Sequence, residues 1–345
     1  MSLFDSDKSA TRLPVSLITG FLGSGKTTVL NHLLRDPGMA DSAVVVNEFG
    51  EVGLDHLLIE VLDGEVAVLA SGCVCCTMRS DLEETLRGLL VRRDRGEVPQ
   101  FRRILVESTG LADPAPIAQL LLNNPLVSHH LRLDAIVATV DAVHGHRQLD
   151  EHPEAVKQAA MADRLLLTKV DIADPADADR LQRRLDRLNP AAALHRCVNG
   201  NIAPALLFGA GLFDPGRSPD VLRWLREEAY GASSHRTHGH ASNHDDAIAA
   251  FCLTFDTPLD WVAVQEWLSR LRRDRGEGLL RVKGVLDLAG EAMPVAIHGV
   301  HHVFHPPVLL AGWPDAPRRS RIVFITRGVN RAEIEAGMPI AALSA

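Results

Sequence analysis

The sequence predicts an α/β protein in which a parallel sheet flanked by helices is followed by a smaller α+β domain. From Leu13 to about Val198, short apolar runs alternate with longer helical patterns, and the runs lack strict polar–apolar alternation. After a polar stretch, a second region carries predicted elements in the order β-α-β-β-β-α. A length of 345 residues also favours two domains over one.

Buried strands are predicted throughout the first region. They are PVSLIT (14–19), AVVVN (43–47), VAVLA (66–70), RILVE (103–107), AIVATV (135–140) and RLLLT (164–168). Between the third and fourth strands, Ser80 to Leu90 is predicted to be a helix, because Ser80 and Glu83 match a capping box and leucines recur along one face.

A polar segment, GASSHRTHGHASNHDD (231–246), is interpreted as a His-rich flexible linker because it has few apolar residues. The predicted organisation is therefore an N-terminal tail (1–12), a first domain (13–230), this linker and a C-terminal domain (247–345). In the C-terminal domain the predicted strands are 251–255, 279–288, 294–304 and 321–326, and the predicted helices are 261–273 and a short one after Asn330.

The composition narrows the class of protein. A net charge of −8 and a pI near 6.0 argue against a general nucleic-acid binder, which needs a basic surface. No apolar run approaches the roughly 18 residues of a membrane span, so a cytoplasmic protein is expected. Three of the five cysteines fall within four positions, a cluster that indicates metal binding or redox chemistry rather than a disulfide framework.

The segment Gly20 to Thr27 (GFLGSGKT) fits the phosphate-binding pattern G-x-x-x-x-G-K-[ST], with a predicted strand before it and a helix after it. In this pattern backbone N–H groups surround the β-phosphate, the Lys26 ammonium offsets phosphate charge, and the Thr27 hydroxyl binds Mg²⁺. A chance glycine-rich turn is the alternative. The predicted phosphate-binding residues are Gly20, Gly23, Ser24, Gly25, Lys26, Thr27 and Thr28.

Two later segments complete a predicted GTP site. In ILVESTGLADP (104–114), Glu107 ends a predicted strand at the point where such proteins place an acid near the metal. Gly110 would offer an N–H to the γ-phosphate. The alternative for Glu107 is an acid that ends a strand and has no role at a metal. In RLLLTKVDIAD (164–174), Asp171 would accept hydrogen bonds from guanine. Thr168 and Lys169 complete this T-K-x-D pattern, although Asn is commoner than Thr at its start.

The ordered motifs GFLGSGKTT (20–28), VNEFGEVGLD (46–55), SGCVCC (71–76), VESTGLADP (106–114) and TKVD (168–171) closely resemble those of the CobW-like GTPases, relatives of the urease and hydrogenase nickel-insertion GTPases. The C-terminal segments RVKGVLD (281–287), HGVHHVFHP (298–306) and RSRIVFITRGVN (320–330) also resemble that family, so the resemblance covers nearly the whole chain from Leu13. It implies a P-loop NTPase fold in the first domain and a CobW-type C-terminal domain.

The resemblance further implies a metal-trafficking GTPase that uses GTP and Mg²⁺, with Lys26, Thr27 and Glu107 in the catalytic site. Cys73, Cys75 and Cys76 would be the family's C-x-C-C metal motif. Zinc is its commonest metal, and some relatives handle cobalt or nickel. The expected partners are GTP, a metal ion and a client metalloprotein whose identity the sequence does not give. Neither nucleic acid nor a membrane is expected as a partner, and a homodimer is an option.

The metal site needs a ligand from outside the cysteine motif. Adjacent Cys75 and Cys76 tend to diverge, so two thiolates plus an outside ligand suit a tetrahedral ion better than three thiolates. Glu48 and Glu51 are the candidates, because their segment follows the first helix, where related GTPases keep a switch that senses the γ-phosphate. We therefore expect metal affinity to depend on the GTP state.

Other interpretations remain open at this point. The cysteines suit a structural role, or a zinc-buffering or thiol-redox protein in which nucleotide binding is regulatory. A P-loop small-molecule kinase is a further alternative, against which TKVD and C-x-C-C argue. Cys197 and Cys252 are expected in the core.

The histidines of the C-terminal domain are predicted to lie on one continuous strand, HGVHHVFHP. His298 and His302 would share one face of this strand, and His301 and His305 the other. Residues four apart on a strand are separated by about 13 Å, too far for one metal ion. A surface or client-docking role is therefore expected for them.

Overall fold

The computed structural model describes residues 4, 11–47, 67–71, 78–209, 248–314 and 316–338. The chain divides into two compact units, the first built mainly from residues 11–209 and the second mainly from residues 248–338. Phe4, within the predicted N-terminal tail, groups with the second unit, where its ring lies edge-on to Trp261 with a centroid separation of 5.0 Å. Within the described ranges, no helix is both long and apolar enough to cross a membrane.

Strands and helices alternate in the first unit. The strands are β1 (Leu13–Gly20), β2 (Ser42–Asn47), β3 (Ala67–Ser71), β4 (Arg103–Glu107), β5 (Leu131–Asp141), β6 (Arg164–Thr168) and β7 (Ala193–Cys197). The helices are α1 (Lys26–Leu34), α2 (Met78–Asp94), α3 (Pro114–Asn123), α4 (Pro125–His130), α5 (Gly145–Glu151), α6 (Pro153–Met161) and α7 (Pro175–Leu188).

The strands form one sheet in the order β3-β2-β4-β1-β5-β6-β7, and the five pairings from β3 to β6 are all parallel. Leu17 and Ile18 are neighbours on β1 and point to opposite faces of the sheet, yet both are fully buried. Both faces are therefore covered, which explains why the strand sequences are continuously apolar. The predicted parallel α/β fold is confirmed.

The edge strand β7 was not among the six predicted strands. Its sequence, ALHRC, contains a histidine and an arginine. Two of its five residues are partly buried, and Arg196 is exposed. An edge strand needs less apolar sequence than a central one because it has only one neighbouring strand, so its sequence signal is weak.

Helix α2 starts earlier than predicted. It begins at Met78, so Ser80 lies inside its first turn, and the capping box of Ser80 and Glu83 is wrong. Met and Arg both favour helix, and they extend it two residues toward the N-terminus. The predicted apolar face is confirmed, because Leu82, Leu86 and Leu89 are buried.

The second unit is an antiparallel sheet covered by helices. Its elements are β8 (Ile248–Phe255), α8 (Trp261–Arg275), β9 (Leu279–Leu286), β10 (Val295–Val300), β11 (Val303–Phe304), β12 (Val308–Leu309), β13 (Ser320–Arg327) and α9 (Arg331–Glu335). The strand order is β11-β10-β9-β13-β8, and β12 pairs with β10. Trp267 of α8 is fully buried against Phe324, and its indole N–H donates to the Ile334 carbonyl oxygen at 3.0 Å.

The predicted strand 294–304 is instead a hairpin. His301 has a φ of 53°, which ends β10 at Val300, and the His305 N–H donates to the His298 carbonyl oxygen across the turn at 2.9 Å. The predicted alternation of histidine faces is therefore wrong. His298 and His301 are also buried, which does not fit a surface docking role for them. The His301 Nδ1 atom lies 2.8 Å from the Glu277 carbonyl oxygen.

Candidate nucleotide-binding site

Sheet topology brings three of the predicted segments together at the carboxyl ends of the parallel strands. β1 is the central strand, with β4 on one side and β5 followed by β6 on the other. The phosphate-binding loop (20–27) follows β1, the Gly110 turn (109–112) follows β4, and the T-K-x-D segment (168–171) follows β6. Because these strands are parallel, their carboxyl ends share one edge, where ligands of α/β proteins bind.

The phosphate-binding loop depends on glycine at two positions. Gly20 has a φ of 141°, and a Cβ atom there would lie 2.2 Å from the Thr139 Oγ1 atom. Gly25 has a φ of 92° and caps the amino end of α1 in the left-handed conformation. The conformation of this loop therefore requires the glycines of the motif and leads directly into a helix N-terminus, a favourable position for phosphate.

The Lys26 side chain folds back over this loop and is buried. Its Nζ atom donates to the Gly20 carbonyl oxygen at 2.9 Å and to the Phe21 carbonyl oxygen at 3.2 Å. The ammonium charge is thus held at the loop. A phosphate group in the loop would meet this charge without rearrangement of the backbone.

The two predicted residues of the magnesium site are brought together. The Thr27 hydroxyl donates to the Glu107 Oε1 atom at 2.7 Å, although 80 residues separate them in sequence. Glu107 is 4% exposed and is paired in register with Ile18 of β1. A hydroxyl and a carboxylate are hard oxygen donors of the kind that Mg²⁺ prefers, so these residues fit the ion that the motif implies.

The Gly110 turn lies against the phosphate-binding loop. A Cβ atom at Gly110 would lie 2.7 Å from the Leu22 backbone nitrogen and 2.8 Å from its Cα atom. The Ala112 N–H donates to the Thr109 carbonyl oxygen at 3.1 Å and closes the turn. Only glycine allows this approach of backbone to backbone. Residue 110 therefore lies against the phosphate-binding loop, and its contact with the γ-phosphate stays a prediction.

The T-K-x-D segment is tied to the same loop. The buried Thr168 hydroxyl donates to the Ser24 carbonyl oxygen at 2.7 Å. Lys169 has a φ of 58°, and its Nζ atom lies 2.7 Å from an oxygen of Asp141, a carboxylate that is 1% exposed. Asp171 is exposed in the turn that follows. It is therefore accessible to a ligand at this edge.

A turn that was not predicted as part of the site also reaches it. Asn199 and Gly200 follow β7 and have positive φ values of 50° and 78°. A Cβ atom at Gly200 would lie 2.6 Å from the Thr28 carbonyl oxygen in the first turn of α1. The Asn-Gly dipeptide is a strong turn signal, but its contact with Thr28 spans 172 residues and depends on the tertiary fold.

The predicted metal ligands lie outside the described residues. They are Cys73, Cys75, Cys76, Glu48 and Glu51. Within the described parts of the chain, no group of three or more His, Cys, Asp or Glu side chains is arranged to hold a metal ion.

The two remaining cysteines are core residues, as predicted. Cys197 is 1% exposed and Cys252 is 7% exposed. Burial raises the pKa of the Cys197 thiol, which disfavours the thiolate that a metal would need.

Residues 14–196 match the family model described as "CobW/HypB/UreG, nucleotide-binding domain", and residues 248–339 match "Cobalamin synthesis protein cobW C-terminal domain". The chain belongs to the CobW family. The interval between the two CobW matches contains the predicted linker 231–246.

This CobW family member is similar to proteins from distant organisms. It is 35% identical over 324 residues to the "Zinc chaperone YjiA" of Escherichia coli (strain K12), with 94% of this chain and 97% of the relative covered. It is 27% identical to the "Zinc-regulated GTPase metalloprotein activator 1" of Saccharomyces cerevisiae, with 94% of this chain and 82% of the relative covered.

A solved structure matches this CobW family member over both units. The crystal structure of Zn(II)-bound YjiA GTPase from E. coli has a TM-score of 0.70 and 31% sequence identity, and the match covers 94% of this chain and 98% of that one. The match therefore includes the sheet edge where the predicted GTP site lies.

Proposed function

We propose that this chain is a GTP-hydrolysing metallochaperone that carries zinc to a client metalloprotein. The hydrogen bond between Thr27 and Glu107 carries the nucleotide part of this proposal, because it joins the phosphate-binding loop to a buried carboxylate at the point where a metal–phosphate complex needs oxygen ligands. The names of the relatives, zinc chaperones and GTPases, support the metal part.

Five described residues of the site have assigned roles in this proposal. Lys26 binds the β- and γ-phosphate oxygens, and the Thr27 hydroxyl and Glu107 carboxylate hold Mg²⁺, which when bound offsets phosphate charge. The Gly110 N–H binds the γ-phosphate. Asp171 accepts hydrogen bonds from the guanine N1–H and amino groups, a pairing that adenine cannot offer.

Sheet register supports the proposed zinc ligand set. Asn47 and Ser71 are paired at the ends of β2 and β3. One segment, with the two glutamates, follows Asn47, and the other, with the three cysteines, follows Ser71. The two segments therefore start from strand ends that are about 4.8 Å apart. Two cysteine thiolates with a glutamate oxygen form a ligand set that suits zinc.

The same register supports coupling between metal and nucleotide. Val46, two residues before Glu48, pairs with Glu107 across β2 and β4. The start of the segment that carries the glutamates therefore lies next to the proposed magnesium carboxylate. GTP·Mg²⁺ would fix the conformation of residues 47–55 and would thereby change the ligands available to zinc. Coupling of this kind is reciprocal, so zinc would also change GTP affinity.

The proposal is tested by measuring Zn²⁺ affinity through competition with a chromogenic chelator, with and without Mg²⁺ and a non-hydrolysable GTP analogue. We expect the nucleotide to shift the Zn²⁺ dissociation constant about tenfold or more, which is ~1.4 kcal/mol of coupling. The Cys75→Ala variant should lose the shift. The Lys26→Ala variant should retain zinc binding but lose both the shift and GTP hydrolysis.

An unchanged zinc affinity in the presence of the analogue would contradict the coupling. The cysteines and the GTPase site would then act independently, as expected for a zinc-buffering or thiol-redox protein. GTP hydrolysis that persists in Lys26→Ala would contradict the assignment of the nucleotide site.

A further inference from the structure

A buried glutamine on α6 binds the Gly110 turn, which also lies against the phosphate-binding loop. Gln158 is 1% exposed. Its Nε2 atom donates to the Gly110 carbonyl oxygen at 3.2 Å and to the Ala112 carbonyl oxygen at 3.0 Å. Both hydrogens of one side-chain amide are thus used on the turn that carries the proposed γ-phosphate N–H.

The turn is constrained on two sides. Leu22 of the phosphate-binding loop lies too close to Gly110 to admit a side chain there. Gln158 binds the carbonyl groups of Gly110 and Ala112. The Thr109 carbonyl oxygen accepts the hydrogen bond from the Ala112 N–H that closes the turn. A movement of the turn that displaces the Gly110 or the Ala112 carbonyl group must therefore break a hydrogen bond to Gln158.

Helix α6 also contacts both parts of the site through neighbouring side chains. The Lys157 Nζ atom lies 2.6 Å from an oxygen of Asp113, directly after the turn. At the other end of the helix, the His152 ring stacks on Phe21 of the phosphate-binding loop with centroids 4.4 Å apart. This helix therefore links the loop that binds the β-phosphate to the turn proposed to sense the γ-phosphate.

The chemistry of the Gln158 amide argues against a purely space-filling role. Its Oε1 atom is buried and has no hydrogen-bond partner among the described residues. An apolar side chain would avoid this cost, while the reverse orientation of the amide would place an oxygen against two carbonyl oxygens. The position favours a residue that can donate two hydrogen bonds, and glutamine does so without introducing a charge.

We propose that Gln158 is a positioning residue that holds the Gly110 turn in the conformation that recognises the γ-phosphate. This inference rests on the proposed GTPase function and extends it to a residue that need not touch the nucleotide. GDP lacks the γ-phosphate, so the loss of Gln158 should weaken GTP binding selectively. A residue that only stabilised the fold would affect both nucleotides alike.

The test compares wild type with Gln158→Met, which keeps the side-chain volume and removes both donors. We expect the dissociation constant for a non-hydrolysable GTP analogue to rise at least fivefold, the value for GDP to change less than twofold, and kcat for GTP hydrolysis to fall. Gln119→Met is the matched control, because Gln119 is buried on α3 and makes no side-chain hydrogen bond within the described residues. It should leave the ratio of the two affinities unchanged.

A second variant keeps the test decisive if Gln158→Met does not fold. Gln158→Leu is smaller than Gln158→Met and also lacks both donors, so it should show the same selective loss of GTP affinity. Equal weakening of GDP and GTP binding, or no change in either, would overturn the inference. A wild-type chain that neither binds nor hydrolyses GTP would instead overturn the proposed function, so the two failures are distinguishable.

Discussion

At the scale of single residues, the candidate site is built from side chains that bond across long sequence separations. Thr27 meets Glu107, and Thr168 meets the Ser24 carbonyl oxygen. Both hydrogen bonds join the carboxyl end of one strand to the loop after another. Glu107 is the last residue of β4, and its Oε1 atom accepts the Thr27 hydroxyl hydrogen bond at 2.7 Å.

Replacing Glu107 with Gln should raise the magnesium requirement of GTP hydrolysis. The amide keeps an oxygen that can accept from Thr27 but removes the negative charge that would attract the ion. We expect the Mg²⁺ concentration for half-maximal hydrolysis to rise about tenfold or more, measured by phosphate release over a magnesium titration. Glu84→Gln, an exposed carboxylate on α2, is the control. An unchanged magnesium dependence would remove Glu107 from the site.

At the scale of elements, a short turn packs against the helix that follows the predicted phosphate-binding loop. The turn at Asn199 and Gly200 packs against α1, because a Cβ atom at Gly200 would lie 2.6 Å from the Thr28 carbonyl oxygen in the first turn of the helix and 3.2 Å from the His32 Cβ atom in its last turn. A change in this turn should therefore affect both the packing of α1 and the phosphate-binding loop before it.

Gly200→Ala should destabilise the protein more than Gly96→Ala does. Both glycines have positive φ, 78° and 69°, so both substitutions cost about 1–2 kcal/mol of backbone strain. Only at Gly200 does the added methyl group also meet neighbouring atoms, because nothing lies within 4 Å of the position at Gly96. We expect a larger loss of unfolding free energy and weaker GTP binding for Gly200→Ala, measured by urea denaturation and nucleotide titration. Equal losses would show that the turn relaxes away from α1.

At the scale of the whole molecule, the sequence predicts the architecture better than the details of either unit. Continuous apolar runs reveal buried parallel strands, because both faces of the sheet are covered. The His301 turn is missed because residues other than glycine rarely adopt positive φ, and the nearest glycine, Gly299, lies within β10 and not in the turn. The motifs indicate Lys26, Thr27, Glu107 and Gly110, whereas the contacts of Gln158 and Gly200 follow only from the packing of distant segments.

The five cysteines should separate into two classes of reactivity. Cys197 and Cys252 are buried, so we expect a thiol reagent to label only the three cysteines of the C-x-C-C motif in the native apo protein, and all five after denaturation. One equivalent of Zn²⁺ should slow the labelling of the motif. The double variant Cys197→Ser, Cys252→Ser should give the same native count. Five reactive thiols in the native state, or no protection by zinc, would contradict this division.

The hydrogen bond from Thr168 to the Ser24 carbonyl oxygen has a consequence for redesigning nucleotide preference. Thr168, the first residue of the predicted base-reading motif, also holds the predicted phosphate-binding loop through this bond. Substituting Thr168 to alter the choice of base would therefore also weaken phosphate binding. The affinity for the nucleotide and the selectivity between guanine and adenine would change together. Asp171 is exposed at the same edge and makes no side-chain hydrogen bond to that loop within the described residues. We expect a substitution at Asp171 to change the base preference while the phosphate-binding loop keeps its shape.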